Sequence, residues 1–312
     1  MTTALSPQTD REAWLAARRK GIGASEIAAV LGISPWESPF SLYWRKVNGW
    51  DYEPSAEMEW GNRLEDAIAA KYADAHPDEI LLRGALTVGP EPWMLATPDR
   101  LIAVETPEEL RCWRYPDGVY PAPTVCGVLE LKTARAADGW GDDALDVPVH
   151  YRAQCLWQML CVEVNYAVLA VLIGGSDYRE YLVRLDERDI ATMVEAGRRF
   201  MHRLETGDPP PLDDHHATLT AVKRLHPDLD DVAADVDETL AGNYLRACRM
   251  VKLAEKAKDR YEVQLRAAMG SARRATAGGR RVATRTISEI AESTVTRSAH
   301  RRDYLTPAKE KP

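Results

Sequence analysis

The spacing of hydrophobic positions changes from a helical period to a strand period within the first 206 residues. Apolar residues at helical spacing predict helices over 14–20, from about 23 or 25 to 32, over 39–48 and over 56–75. Short β-rich or alternating segments follow at 79–89, 93–96, 99–104, 126–132, 166–173 and 178–185. Two more helices are predicted, over about 148–162 among these strands and over 186–206 after them. This order of elements predicts a mixed α/β or α+β core.

Proline, glycine and polar residues separate this core from the rest of the chain. The sequence GDPPPLDD at 207–214 indicates the exit from a domain, and the polar, acidic residues up to 240 indicate a linker. A long helix is then predicted over 243–269, followed by a hairpin that turns at Gly278-Gly279. We therefore predict a core domain over 1–213, a linker over 214–240 and a basic helix-and-hairpin appendage over 241–312.

Charge is distributed unevenly along the 312 residues, whose formal net charge is -8. Residues 241–312 carry 17 lysines and arginines against 7 acidic residues, so the remaining 240 residues have a net charge of -18. The basic tail is suited to contact with nucleic-acid phosphates. A solvated basic face, or a docking surface for the acidic body, explains the same pattern equally well.

The composition excludes several classes of protein. With 45% hydrophobic and 28% charged residues, the chain is neither intrinsically disordered nor collagen-like. Hydropathy predicts no membrane span, and residues 1–14 lack the pattern of a secretory signal, so a cytoplasmic protein is expected. The five cysteines are scattered without a CxxC pair, which argues against a zinc ribbon or an iron–sulfur cluster and favours reduced thiols.

The segment GVLELKT at 127–133 carries the most informative chemistry. Side chains alternate along a strand, so Glu130 and Lys132 face one side while the leucines face the other. Upstream, Asp99 follows Pro98 at the start of another predicted strand. Carboxylates from neighbouring strands can hold a hard divalent cation, and a lysine can stabilise charge on a phosphate. Together these groups suit metal-assisted phosphodiester hydrolysis. The alternative is a simple ion pair at a sheet edge.

Two further groups of polar residues fit the same chemistry. Glu65 lies in the predicted helix over 56–75, where it would supply a third carboxylate unless it is a solvated surface residue. Tyr151, Gln154 and Gln158 form one polar face of an otherwise apolar helix. Polar groups on such a helix need partners, which a substrate or a site carboxylate would provide. Ordinary surface positions are the alternative.

A candidate anion site lies near the start of the chain. Arg18 precedes a glycine-flanked helix start that contains Ser25. Backbone N–H groups, a hydroxyl and a guanidinium together can bind an anion such as phosphate. The alternative is an exposed arginine followed by a serine that caps a helix.

Taken in order, these segments resemble the YqaJ-like viral recombinases, the lambda-exonuclease-type family of the PD-(D/E)XK nuclease superfamily. The resemblance covers about residues 10–213. It rests on Trp14…Arg18…GIGASEIA, on LGISPWESP, on WGNRLE ending at Glu65, on ATPD ending at Asp99, on LELK ending at Lys132, and on VP…YRAQ ending at Gln154. It implies a restriction-endonuclease-like core, with a central mixed β-sheet flanked by helices.

The resemblance also implies an activity, which is the Mg²⁺-dependent 5′-to-3′ degradation of one strand of linear double-stranded DNA. The product would be a 3′ single-strand overhang for phage-type recombination by strand annealing. Mn²⁺ is the expected substitute for Mg²⁺, a single-strand annealing protein the expected partner, and a ring-shaped homotrimer the expected assembly. Alternatives on the same fold are a structure-specific or restriction-type endonuclease and a non-catalytic DNA-binding or assembly module.

The same resemblance implies which residues would hold the metal and perform the chemistry. Asp99 and Glu130 would bind the metal, together with the backbone carbonyl of Leu131 and, as a further acidic group, Glu65. Lys132 would be the catalytic lysine.

Other residues would hold the DNA. Arg18 and Ser25, with Thr97 as a helper, would bind the terminal 5′ phosphate. Tyr151 and Gln154 would lie on the helix that lines the site, Tyr151 contacting the DNA and Gln154 taking part in catalysis.

The sequence departs from the family pattern in two places. Arg100 follows Asp99 where the family usually has glycine, which should change the opening of the strand rather than the metal ligand. Asp99 and Glu130 are also 31 positions apart, because of an apparent insertion over 104–125. The insertion would contact DNA or form a structural lid through its aromatic and basic residues, which are Arg111, Trp113, Arg114, Tyr115 and Tyr120.

Overall fold

Side-chain caps fix the starts of three of the described helices that precede the main sheet. The computed structural model describes residues 10–50, 55–105, 123–143, 146–228 and 230–288. The first helices in these ranges are α1 (Arg11–Arg19), α2 (Ile27–Val30), α3 (Pro39–Asn48) and α4 (Ala56–Ala75). Asp10 caps α1, Ser38 forms a capping box on α3, and Ser55 caps α4. All four helices lie where the hydrophobic spacing predicts them, although α2 is a single turn.

Within the described ranges, eight strands follow or interrupt these helices and form two sheets. In chain order they are β1 (Ile22–Gly23), β2 (Ile80–Arg83), β3 (Thr87–Val88), β4 (Met94–Ala96), β5 (Arg100–Val104), β6 (Thr124–Ala134), β7 (Tyr166–Ile173) and β8 (Asp177–Arg184). The main sheet has the order β2-β5-β6-β7-β8, and the small sheet has the order β1-β4-β3. Only β6 and β7 pair in parallel in the main sheet. They are connected through α5 (Val149–Val162), and α6 (Glu187–Thr206) follows β8.

The two faces of β6 pack against different helices. Leu129 and Leu131 lie on one face, in an apolar cluster with Ile68 of α4. Val128 lies on the opposite face, in a second cluster that contains Trp157 of α5. Because each face buries an apolar layer, the sheet is enclosed between helices. The predicted mixed α/β class, with a central mixed sheet flanked by helices, is therefore confirmed.

A close backbone approach breaks the strand that the sequence predicts over 79–89. The segment forms β2 and β3, which belong to different sheets. Gly84 lies between them, and a Cβ atom there would come within 1.8 Å of the carbonyl oxygen of Pro98. Only glycine allows this contact, which holds the turn directly against the residue that precedes Asp99.

A helix occupies part of the segment 214–240, for which the sequence predicts a linker. This helix, α7 (His216–Leu225), buries Thr218 and Ala221. The Oγ atoms of Thr218 and Ser38 lie 2.6 Å apart, so α7 packs on the start of α3. The chain divides into two compact units, Met1–His226 and Pro227–Pro312. The first unit thus extends beyond the predicted core domain over 1–213, because α7 supplies part of its core.

We expect Thr218→Val to lower the free energy of unfolding of the first unit by about 1–3 kcal/mol, because Ser38 and Asp213 both lose a hydrogen-bond partner. Thr220→Val is the matched control on the exposed side of α7, with an expected change within about 0.5 kcal/mol. Urea denaturation measures both values. Equal effects of the two substitutions would mean that α7 does not pack as described.

The second unit contains the predicted helix and hairpin. Helix α8 (Glu238–Met269) begins five residues earlier than the sequence predicts, at a cap formed by Asp237. Strands β9 (Arg274–Ala277) and β10 (Arg280–Thr284) pair antiparallel across Gly278 and Gly279, which both have positive φ. The hairpin and its flanks carry five arginines, which are Arg273, Arg274, Arg280, Arg281 and Arg285. None of the described helices combines the length and the apolar character that crossing a lipid bilayer requires.

Candidate active site

Strand register brings Asp99 to the strand that carries Glu130. The antiparallel pairing of β5 with β6 matches Arg100 with Leu129, so Asp99 lies at the end of β5 beside the following residues of β6. The backbone N–H of Leu131 donates to Oδ2 of Asp99 at 2.8 Å. The two carboxylates thus come together from positions that are far apart in the sequence.

The side chain of Glu130 is held from the α5 side of the sheet. It is 1% exposed. Lys132 Nζ and Gln154 Nε2 both donate to its Oε1 atom, and Gln158 Nε2 donates to its Oε2 atom at 2.6 Å. Both carboxylate oxygens are therefore bonded, as a buried charge requires. Two of the three residues on the polar face of α5 have this site carboxylate as their partner.

Negative charge exceeds positive charge at this point of the sheet. Burial, followed by repulsion from Glu130, raises the pKa of Asp99 to about 8. Burial also raises the pKa of Glu65, and the charge of Glu130 adds to this effect. For Lys132, burial opposes the charged form, but Glu130 and Asp99 together raise its pKa above the ordinary value. Lys132, and Arg100 near Glu65, offset part of this negative charge. A bound cation would relieve the repulsion that remains between the carboxylates.

The donor atoms suit a hard divalent cation that keeps much of its water. Within the residues that the structure describes, no three His, Cys, Asp or Glu side chains form a group that could hold one ion. Asp99 and Glu130 are therefore a pair of carboxylates, and the backbone N–H of Leu131, the residue after Glu130, contacts Asp99. Mg²⁺ is bound in this way in many proteins, by one or two carboxylates with water in the other positions. Glu65 lies close enough to act on their charge.

The predicted anion-binding residues line a small pocket next to these carboxylates. Arg18, Ser25 and Thr97 enclose a cavity of about 50 Å³. Arg18 Nη2 donates to Oγ of Ser25 at 2.8 Å, and Trp14 Nε1 donates to Oγ1 of Thr97 at 3.0 Å. Gln154 also lines this pocket while it donates to Glu130. Gln158, which donates to the other carboxylate oxygen of Glu130, lines the pocket as well, so two side chains touch both groups of predicted residues.

A buried ionic network beneath this pocket was not predicted from the sequence. Glu26 is 3% exposed and accepts hydrogen bonds from the N–H of Gly23, from Lys46 Nζ and from Arg45 Nη2, each at 2.8 Å. Arg18 Nη2 lies 3.7 Å from the same carboxylate. Burial opposes ionisation of Glu26, but its cationic neighbours hold its pKa well below the usual range. The network therefore fixes the backbone and the guanidinium that line the pocket.

The sequence contains one signal that could have revealed this network. Arg45 and Lys46 lie on a helix whose neighbouring positions are mostly apolar, so at least one of the two must be buried. A buried cation needs an anionic partner. Glu26 is the acidic residue within the otherwise apolar segment around α2, but nothing in the sequence alone pairs it with α3.

Tyr151 contacts the lysine rather than the anion pocket. Lys132 Nζ lies 5.1 Å from the centre of the Tyr151 ring, within the range of a cation–π contact. Tyr151 in turn stacks on Trp140, with ring centres 5.6 Å apart. The tyrosine therefore forms a wall of the site beside Lys132.

The two departures from the family pattern have different outcomes. Arg100 is 6% exposed and its guanidinium donates to Asp66 of α4 and to the carbonyl of Asp99, so it ties the start of β5 to α4. This arrangement leaves the Asp99 carboxylate in place. Most of the predicted insertion over 104–125, including all its aromatic and arginine side chains, lies outside the described residues.

Comparison with known protein families identifies the part of the chain that carries this site. The model of the YqaJ-like viral recombinase domain matches residues 13–165. This segment is therefore similar in sequence to the YqaJ-like viral recombinase domain. It extends from α1 to the residue before β7, and it therefore contains both the carboxylate group and the anion pocket.

Similar proteins include a curated bacterial relative and several solved structures. Over 247 residues, 76% of this chain and 70% of the relative, the chain is 26% identical to the protein YqaJ of Bacillus subtilis (strain 168). The alkaline exonuclease LHK-Exo from Laribacter hongkongensis has a TM-score of 0.46 and 21% identity, over 63% of this chain and 94% of that one. A phage related exonuclease from Haemophilus somnus 129PT has a TM-score of 0.42 and 10% identity, over 60% and 96% of the two chains.

Proposed function

We propose that the YqaJ-like domain is a metal-dependent exonuclease that degrades one strand of linear double-stranded DNA from its 5′ end. The observation that carries this proposal is the position of Gln154, which lines the pocket of Arg18 and Ser25 and also holds Glu130. The small pocket that these residues line offers a guanidinium and two hydroxyl groups to a phosphate. A phosphate site next to a hydrolytic group favours cleavage at DNA ends.

Each residue of the carboxylate group has a role in the proposed hydrolysis. Asp99, Glu130 and the carbonyl of Leu131 hold Mg²⁺, with Mn²⁺ as a substitute and Glu65 as a further acidic group. When bound, the metal acts as a Lewis acid on the phosphate and lowers the pKa of its water. Lys132 orients the attacking water and stabilises negative charge on the phosphate.

The residues on α5 and around the anion pocket position the substrate. Gln154 fixes Oε1 of Glu130 beside the DNA end, and Tyr151 forms the wall that contacts the strand. Arg18 and Ser25 donate to the terminal 5′ phosphate, assisted by Thr97. The product is a 3′ single-strand overhang that an annealing protein uses in recombination. In the same proposal the enzyme works in the cytoplasm and forms a ring-shaped trimer around the duplex.

The deciding experiment measures nucleotide release by the full chain from a linear duplex with 5′ phosphates, in Mg²⁺ and in excess chelator. We expect release from the 5′ end in Mg²⁺ and none in chelator. Covalently closed circles of the same DNA should remain intact. The proposal is wrong if no nucleotides are released from linear DNA, and a restriction-type endonuclease is favoured if circles are cut at the same rate.

Arg18→Ala should remove most of the preference for 5′-phosphorylated ends over 5′-hydroxyl ends. A hydrogen bond between charged groups contributes about 1.5–3 kcal/mol, which corresponds to roughly 10- to 100-fold in rate at low substrate concentration. Arg19→Ala is the matched control, because Arg19 is the next residue on α1 and contacts the carbonyl of Gly49 instead. If Arg18→Ala and Arg19→Ala keep the same end preference, the phosphate role of Arg18 is refuted.

A further inference from the structure

An exposed tryptophan lies close to the proposed active site and has no role in the reaction described above. The side chain of Trp36 is 62% exposed. The centre of its indole lies 4.8 Å from the centre of the His150 ring, which it meets edge-on, and 5.8 Å from the centre of the Tyr151 ring. Tyr151 is the residue beneath the ammonium of Lys132. Trp36 is therefore separated from the catalytic lysine by a single aromatic ring.

The loop that carries Trp36 is held in one conformation. Oγ of Ser34 accepts hydrogen bonds from the backbone N–H groups of Trp36 and Glu37, each at 3.2 Å. The carbonyl oxygen of Ser34 accepts a hydrogen bond from His215 Nε2 at 3.1 Å, and the Glu37 carboxylate accepts one from Arg45 Nε at 2.7 Å. Because both ends of the turn are fixed, little conformational entropy is lost when the indole binds a ligand.

The surroundings of Trp36 indicate the kind of ligand it would bind. One part of the indole rests on His150 and Tyr151, while most of its surface remains in water. A rigid, exposed aromatic face beside a phosphate-cleaving group matches the way proteins bind single strands, by stacking bases on aromatic side chains. Such stacking does not depend on base identity, which suits an enzyme that moves through any sequence.

We infer that Trp36 stacks on a nucleobase of the strand held at Lys132 and thereby positions the nucleotide adjacent to the cleaved bond. This inference rests on the proposed function, since it requires a DNA strand at that lysine. It assigns to Trp36 a binding subsite for a nucleobase, separate from the phosphate pocket. The indole acts on the position of the strand and takes no part in proton transfer.

The test uses the full chain and a series of 5′-phosphorylated duplexes, each with one abasic nucleotide at a different position from the 5′ end. Single-turnover release is measured at subsaturating and saturating DNA for the wild type, Trp36→Leu and Trp36→Phe. Leucine keeps apolar cover over His150 and Tyr151 but has no aromatic face, whereas phenylalanine retains one. Thermal melting confirms that the variants are folded.

We expect one abasic position to slow the wild type about tenfold, as the loss of one stacked base predicts. Trp36→Leu should be about tenfold slower than the wild type on intact DNA, with no further loss at that abasic position. Trp36→Phe should recover most of the rate and of the abasic effect. Equal abasic effects in the wild type and Trp36→Leu at every position would overturn the stacking inference. No release from any duplex by the wild type would instead overturn the proposed nuclease function, and the inference with it.

Discussion

Glu130→Gln is expected to lower the maximal rate of nucleotide release by at least about 10²-fold, because the amide cannot supply a negative ligand to the metal. The variant should remain folded for a structural reason. Gln158 Nε2 donates to Oε2 of Glu130, and its Oε1 is buried without a hydrogen-bond partner among the described residues. Rotation of the Gln158 amide therefore lets Oε1 accept from the new NH2 group. A lower rate of nucleotide release would then reflect a slower chemical step rather than unfolding of the variant.

Single-turnover kinetics at saturating DNA and Mg²⁺ measures this loss, and thermal melting checks the fold. Lys132→Ala should give a similar loss through the missing ammonium group. It also leaves Glu130 and Asp99 buried without their cationic neighbour, so a lower melting temperature is expected for this variant. Release at the wild-type rate by either variant would contradict the catalytic role assigned to the substituted residue.

Glu26→Gln is expected to lower the free energy of unfolding of the first unit by about 3–5 kcal/mol, because it leaves a buried cation without its counter-charge. Lys46 Nζ is the cation in question, since its side chain is 2% exposed and donates to this carboxylate. Glu59→Gln is the matched control. Its ion pair with Arg63 is exposed on α4, and its expected cost is below about 1 kcal/mol.

The pH dependence of unfolding provides an independent check on Glu26. Its pKa is lower in the folded protein than in the unfolded chain, so its contribution to stability is complete above the unfolded pKa, which is about 4.3. That contribution is lost progressively as the pH falls below this value. Stability of the wild type should therefore decrease more steeply than that of Glu26→Gln in this acid range. Parallel curves for the two proteins would mean that Glu26 is not the buried ionised group described above.

Local alternation is sufficient to predict the strand that carries Glu130 and Lys132. Glu130 and Lys132 lie on one face of β6 and Leu129 lies on the other, as the period of two requires. Helical spacing likewise predicts the polar face of α5, because Gln154 and Gln158 are four residues apart. Both predictions depend only on residues that are close in the sequence.

Features that depend on tertiary contacts are harder to predict from the sequence. The proximity of Asp99 to Leu131 follows from the register of β5 on β6, which the sequence does not specify. The polar flanks of α7 and the prolines before it predict a linker, although Thr218 and Ala221 pack in the core. The start of α8 was placed too late, because Gly242 disfavours a helix and the cap at Asp237 precedes it.

The parallel pairing of β1 with β4 joins residues near 22 to residues near 94. Gln154 lies still farther along the chain, on α5. Contacts between such distant positions form only after long loops have closed. Translation adds about 5–20 residues per second, so Arg18 is made many seconds before the glutamines that hold Glu130. A nascent chain that has not yet completed α5 lacks the assembled site. During synthesis, the residues of the candidate site therefore come together only when most of the first unit has been made.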